Sequence, residues 1–162
     1  MTNFASGTLI LLGSLLCCGS ILAADMNFHG VLTEPPPCTI SNGQVIEVPF
    51  GDNIGVNTVD GAAHRQKVDY HITCDLNSST DGLALSLSTT SPASFDASAV
   101  QTSLSGLGIR MMWDGKPAEF GQAVPVDPLD TPVLEAVPVK APGVELAEGR
   151  FEAYVTLQAV YQ

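Results

Sequence analysis

The sequence predicts an all-β fold, a sandwich of short strands with no helical layer. Three observations predict it. Apolar residues recur at every second position in several separate stretches, most cleanly over Phe151–Tyr161 and Leu83–Ser88. Gly, Asn, Asp and Pro gather between those stretches, where turns are needed. No stretch of helix length repeats apolar side chains at the three- and four-residue spacing of a helix face.

The chain has 162 residues, the size of one domain plus a leader. Residues 1–24 carry no charged side chain. An apolar run from Leu9 to Cys18 leads to small residues and Ala23-Ala24. This pattern predicts a signal peptide cleaved near Ala23 or Ala24, although no Lys or Arg precedes the apolar run. The residues before Cys17 and Cys18 are not the small ones that lipidation sites use. The charge balance, 6 basic against 17 acidic residues for a net of −11, argues against nucleic acid and anionic membrane surfaces as partners.

Removing the leader leaves two cysteines, Cys38 and Cys74. A lone pair in an exported chain is most simply a disulfide. By chain entropy the closed loop would contribute about 4 kcal/mol. A zinc site using His64 or His71 beside Cys74 is the alternative, but the spacing matches no common zinc pattern. No metal and no cofactor is expected.

Taken in order, residues 25–37 form an extension and spacer. Met26, Phe28, Gly30 and Leu32 alternate with Asn27, His29, Val31 and Thr33, and Pro35-Pro36-Pro37 follows as a stiff extended linker. Residues 38–162 form the domain. A strand is expected around Val45–Phe50 after a turn at Asn42-Gly43, then a loop over 52–63. The stretch 65–76 places Val68, Tyr70, Ile72 and Cys74 on one inward face. Leu83–Ser88 is the next strand, and 89–105, rich in Ser, Thr and Ala, is expected to be a long connection. Leu107–Gly115 is a strand with Ile109, Met111 and Trp113 on one face, ending in an Asp-Gly turn. Residues 116–132 are expected to be irregular, and 132–139 an edge strand because Pro138 interrupts it. The final strand carries Phe151, Ala153, Val155, Leu157, Ala159 and Tyr161 on one face and Glu152, Thr156 and Gln158 on the other. A helix would set Phe151 and Ala153 about 200° apart and scatter that face.

The two ends of the chain carry a resemblance. The features are the leader, the alternating extension with a central glycine (Phe28-His29-Gly30), the Cys38 and Cys74 pair, Leu107-Gly108-Ile109 before Asp114-Gly115, Gly149 fourteenth from the last residue and Tyr161 next to last. In these the chain resembles the minor subunits of chaperone–usher pili, of the P-pilus type. The resemblance implies an incomplete immunoglobulin-like β-sandwich lacking the seventh strand, with an N-terminal donor-strand extension. It implies a structural subunit of an adhesive fimbria, exported through the periplasm to the cell surface. Its partners would be a periplasmic pilus chaperone, an outer-membrane usher and neighbouring pilus subunits. The donor strand would be Met26, Phe28, Gly30 and Leu32. The strand beside the groove would run from Gly149 through Phe151, Ala153, Val155, Leu157, Ala159 and Tyr161 to Gln162, whose α-carboxylate would anchor a chaperone. The triple proline is longer than the spacer the family leads one to expect.

Two other readings remain open on sequence alone. One is a self-contained secreted β-sandwich that binds carbohydrate or protein through Trp113 and Tyr70, although both sit on alternating apolar faces where core packing is favoured. The other is an enzyme. None of His29, His64 and His71 lies near a nucleophile motif, and Asp127, Asp130 and Glu135 could form a carboxylate pair. Acidic loops on so acidic a chain are usually just solvated, and no catalysis is expected.

Overall fold

The computed structural model describes residues 26–31, 38–75 and 79–162. It divides into two units, Met1–Thr33 and Glu34–Gln162. In the first unit the described residues 26–31 form no strand, and Met26, Phe28 and Val31 are exposed. The expected leader, Leu32 and the proline spacer lie outside the described residues.

The second unit holds ten strands and no α-helix among its described residues. They are β1 (Cys38–Ile40), β2 (Gln66–Lys67), β3 (Ile72–Cys74), β4 (Leu83–Ser88), β5 (Ala99–Gln101), β6 (Leu107–Trp113), β7 (Lys116–Pro117), β8 (Ala123–Pro125), β9 (Leu134–Lys140) and β10 (Thr156–Tyr161). One sheet has the order β2-β9-β6-β5, with β7 also paired to β6. A second has the order β10-β4-β8, and β1 pairs β3 separately. All pairings are antiparallel. The arrangement is an immunoglobulin-like sandwich.

The core lies between the two larger sheets. Leu85 and Leu87 from β4 meet Val100, Ile109, Met111, Trp113, Leu134 and Ala136 from the other sheet, all buried. The run 65–74 joins the larger sheet at its start and the separate β1–β3 pair at its end. Val68, Tyr70, Ile72 and Cys74 alternate inward as expected, yet β2 at its start pairs β9 and β3 at its end pairs β1. Cys38 and Cys74 are joined by a disulfide where β1 and β3 lie side by side, with Cα atoms 4.1 Å apart.

Several elements depart from the sequence expectation. The connection 89–105 contains β5, whose Ala99 and Val100 are buried against β6. The irregular stretch 116–132 contains β7 and β8. The Asp114-Gly115 turn between β6 and β7 has both residues at positive φ (47° and 76°), which suits a tight hairpin. β9 is not an edge strand, because β2 and β6 flank it. Pro138 is tolerated there because the backbone of Leu134, Ala136 and Pro138 faces the β2 side, and β2 begins only at Gln66, opposite Ala136. The missing N–H therefore breaks no ladder.

The Asn42-Gly43 turn is a 3₁₀ turn over Ser41–Gly43 that follows β1, with positive φ through all three residues. Val45–Phe50, expected as a strand, is extended chain with no ladder partner among the described residues. Phe151–Val155 likewise precedes β10 without joining its ladder.

Candidate functional site

Those last two departures face each other, and together they make the site. β10 pairs β4 from Thr156↔Ser88 to Tyr161↔Leu83, and the Gln162 N–H donates to the Gly82 carbonyl at 2.9 Å. In an antiparallel ladder bonded pairs alternate with unbonded ones. With Gln162 bonded to Gly82, the even-numbered residues of β10 point their backbone groups at β4. Those of Val155, Leu157 and Ala159 point to the other side, where no described residue takes them. Further up, Glu152 is tied to Ser103 through both its N–H and its carbonyl, and the Tyr154 carbonyl accepts from Thr89. The whole stretch 151–159 is thus held along one edge and open along the other.

Side chains follow the same alternation. Phe151, Ala153, Val155, Leu157 and Ala159 pack on the core yet stay partly exposed, and Glu152, Tyr154, Thr156 and Gln158 face solvent. Gly149, just before this stretch, sits where an added Cβ would come within 3.2 Å of the Leu104 side chain. It marks a close backbone approach at the entrance to the strand.

The facing wall is 45–50. Ile46, Val48 and Phe50 pack partly buried on the same core, while Val45, Glu47 and Pro49 are exposed. The chain from Cys38 to Phe50 runs antiparallel to 151–161 and approaches it at both ends. At one end the rings of Phe50 and Phe151 lie 5.9 Å apart. At the other, Cys38 Sγ and the Tyr161 hydroxyl are 3.0 Å apart. Between those ends no hydrogen bond joins the walls. The result is an apolar groove with the sandwich core as its floor and an unpaired strand edge along one side. The sequence named 149–162 as the candidate groove strand and did not name Ile46, Val48 and Phe50 opposite it. The signal for them was their alternation directly after the Cys38 strand.

The rim of the groove is acidic at one level. The Tyr154 hydroxyl donates to Glu152 Oε2 at 3.1 Å, and this bond, together with the charges of Glu152 and then of Glu47 on the facing wall, pushes the phenol above its ordinary pKa. With Phe50 beside Phe151 and the walls antiparallel, Glu47 falls opposite Tyr154, the next outward position after Glu152.

The other candidate residues are scattered. Trp113 is 8% exposed and meets Tyr70 edge to face at 6.2 Å. The Tyr70 hydroxyl donates to the Pro132 carbonyl at 2.6 Å, and burial pushes its pKa up to about 12. Both are core residues, with no aromatic platform for a sugar. Glu135 pairs with Arg65 at 2.9 Å. The Asp127 carboxylate accepts the Leu129 N–H within its own turn. Asp127 and Asp130 share one turn through their backbones, while Glu135 is engaged by Arg65. His64 Nε2 lies 2.7 Å from Thr58 Oγ1, and no cluster of metal-ligating side chains occurs among the described residues. In the extension, an added Cβ at Gly30 would meet nothing within 4 Å.

Known proteins share this architecture. The chain is 37% identical over 157 residues to the fimbrial-like protein YfcQ of Escherichia coli K12, covering 92% of this chain and 96% of that one. Its fold is similar to the P pilus adaptor subunit PapF, with a TM-score of 0.60 and 22% identity over 80% of this chain and 98% of that one. It is similar too to the P pilus rod subunit PapA, with a TM-score of 0.60 and 20% identity over 85% of this chain and all of that one. The family model described as fimbrial protein matches residues 26–162. The chain belongs to the fimbrial protein family, and is a structural subunit of a cell-surface pilus.

Proposed function

We propose that this subunit polymerises by accepting a strand from a partner into the groove between 45–50 and 151–161, and by donating its own residues 25–34 to the groove of the next subunit. The observation that carries the reading is the pair of alternating apolar walls that face each other with no backbone partner between them. An extended strand laid between them would complete the ladder of Val155, Leu157 and Ala159 and cover the exposed core. Strand addition of this kind is a recognised mode of peptide binding, for which pilins are a standard example. Left open, such an edge is an aggregation liability. That favours a periplasmic chaperone that fills the groove first, an outer-membrane usher where exchange takes place, and a role of the finished fibre in cell adhesion.

The donor half of the reading rests on the sequence of the extension. Met26, Phe28 and Leu32 would fill pockets at alternate positions, contributing about 5–8 kcal/mol by burial before ordering costs. Gly30 would let the donor backbone approach closely where a side chain would not fit.

Recovery from the periplasm tests the acceptor half. The subunit is expected to co-purify one-to-one with a periplasmic protein whose strand crosslinks to cysteines placed at Gln158 or Glu47. A folded, soluble monomer with no such partner would overturn it. Deleting residues 25–34 tests the donor half. The chaperone complex should persist, and the shortened subunit should no longer cap the next one in the fibre. The change Gly30→Ile should act in the same direction. Normal fibre entry by the deleted form would sink the donor role.

A further inference from the structure

We propose that the groove prefers a strand from a different protein, one bearing Lys or Arg on its outward face at the level of Glu47 and Glu152, over the extension of a second copy of this chain. This rests on the groove accepting a strand, as proposed above. Any strand seated between the walls buries its inward residues and leaves the alternate residues outward, level with the rims. Counting outward from the Phe50–Phe151 contact, the rims present Glu47 from one wall and Glu152 with Tyr154 from the other. Among the described residues neither glutamate has an ion-pair partner, and Arg150, on the same outward face, pairs with neither. An inserted backbone brings its outward side chain between two carboxylates. A cation there is attracted by both, a neutral residue gains nothing, and a carboxylate is repelled.

The chain's own extension lacks the complementary charge. Opposite to Met26, Phe28, Gly30 and Leu32 it carries Asn27, His29, Val31 and Thr33, with no Lys or Arg. All six basic residues of the chain lie at or beyond Arg65. A fibre of this subunit alone would leave the acidic rim uncompensated at every junction. Charge complementarity chooses partners more than it strengthens binding, so the expected consequence is alternation with another subunit type.

The test uses the full secreted chain, refolded at low concentration with synthetic peptides of residues 25–37 at pH 8. The peptides are the native sequence and the single changes Asn27→Lys, His29→Lys, Val31→Lys and Thr33→Lys, a scan that needs no assumption about register. At least one lysine peptide should bind about two- to fivefold more tightly than the native one at low salt. The gain should vanish at about 0.5 M salt and in the Glu47→Gln, Glu152→Gln double variant, whose melting temperature reports that the domain is intact. Native binding with no charge-dependent gain at any of the four positions would overturn the preference and leave the strand-accepting groove standing. A gain that persists in the double variant would overturn it as well. Binding of no peptide at all would remove both proposals together.

Discussion

β6 and β10 are written in the same alternating apolar language, and only one of them is buried. β6 lies between β5 and β9, and every residue from Leu107 to Trp113 except Arg110 is buried. β10 pairs β4 alone, and its inward residues from Leu157 to Tyr161 reach only intermediate burial. Side-chain pattern selects the face of a strand. Neighbours on both edges decide how dry that face becomes. In this molecule the side around β6 and β9 is a finished core, and the side between β10 and 45–50 is the same core left partly uncovered.

Mutations should separate the two sides. The largest effect is expected on the finished side, where Trp113→Ala should cost about 3–5 kcal/mol in denaturant unfolding whether or not a strand fills the groove. A loss that shrinks when the groove is filled would show that Trp113 belongs to the open side after all. Next comes the join between β1 and β3. Replacing Cys38 and Cys74 by serine together should cost about 4 kcal/mol by loop entropy, read as a lowered unfolding midpoint without reductant. On the open side Leu157→Ala should cost about 1 kcal/mol in the free chain and about 2–3 kcal/mol once a complementing strand covers it. Equal losses in the two states would mean that no strand is added over this residue. Tyr161→Ala should lower recovery of the proposed chaperone complex for the same reason.

Smaller effects distinguish the two sides by titration. Tyr70 is protonated up to about pH 12 in the fold and near 10 when unfolded. Its contribution is therefore fully present below pH 10 and lost as pH rises through 10 to 12. Absorbance titration of the three tyrosines should show one late step that Tyr70→Phe abolishes. Tyr154, on the open rim, is raised by its bond to Glu152, so Glu152→Gln should bring its titration back down. The same change should alter stability by less than about 0.5 kcal/mol, since it touches only an exposed side chain.

The sandwich was legible because its longer strands alternate cleanly. Leu83–Ser88 and Leu107–Trp113 needed nothing but period two. The short strands were not. β5 and β8 have three residues each and sit among Ser, Thr and Pro, so they carry too few side chains to establish a period, and only the neighbouring strand makes them pair. Pro138 misled for a different reason. Its cost depends on which way one N–H points and on where β2 begins, and neither is written within 134–140. At the groove, the β10 face could be read directly from Phe151 to Tyr161. The opposite wall read as an ordinary strand at Val45–Phe50, because local sequence records a preference for extended backbone and not whether a neighbour exists to bond it.

The disulfide has a mechanical consequence. In a fibre under tension, force would enter this domain through the chain leading to Cys38 and leave through whatever grips β10. β1 is only three residues long and pairs β3 alone, so a pull on its first residue would unzip it one bond at a time. The bond from Cys38 to Cys74 sits at that first residue. It passes the pull straight into β3 and the run 65–74, which is anchored through β2 on β9 and through Val68 in the core. Peeling becomes shearing at the point where the domain would otherwise open first.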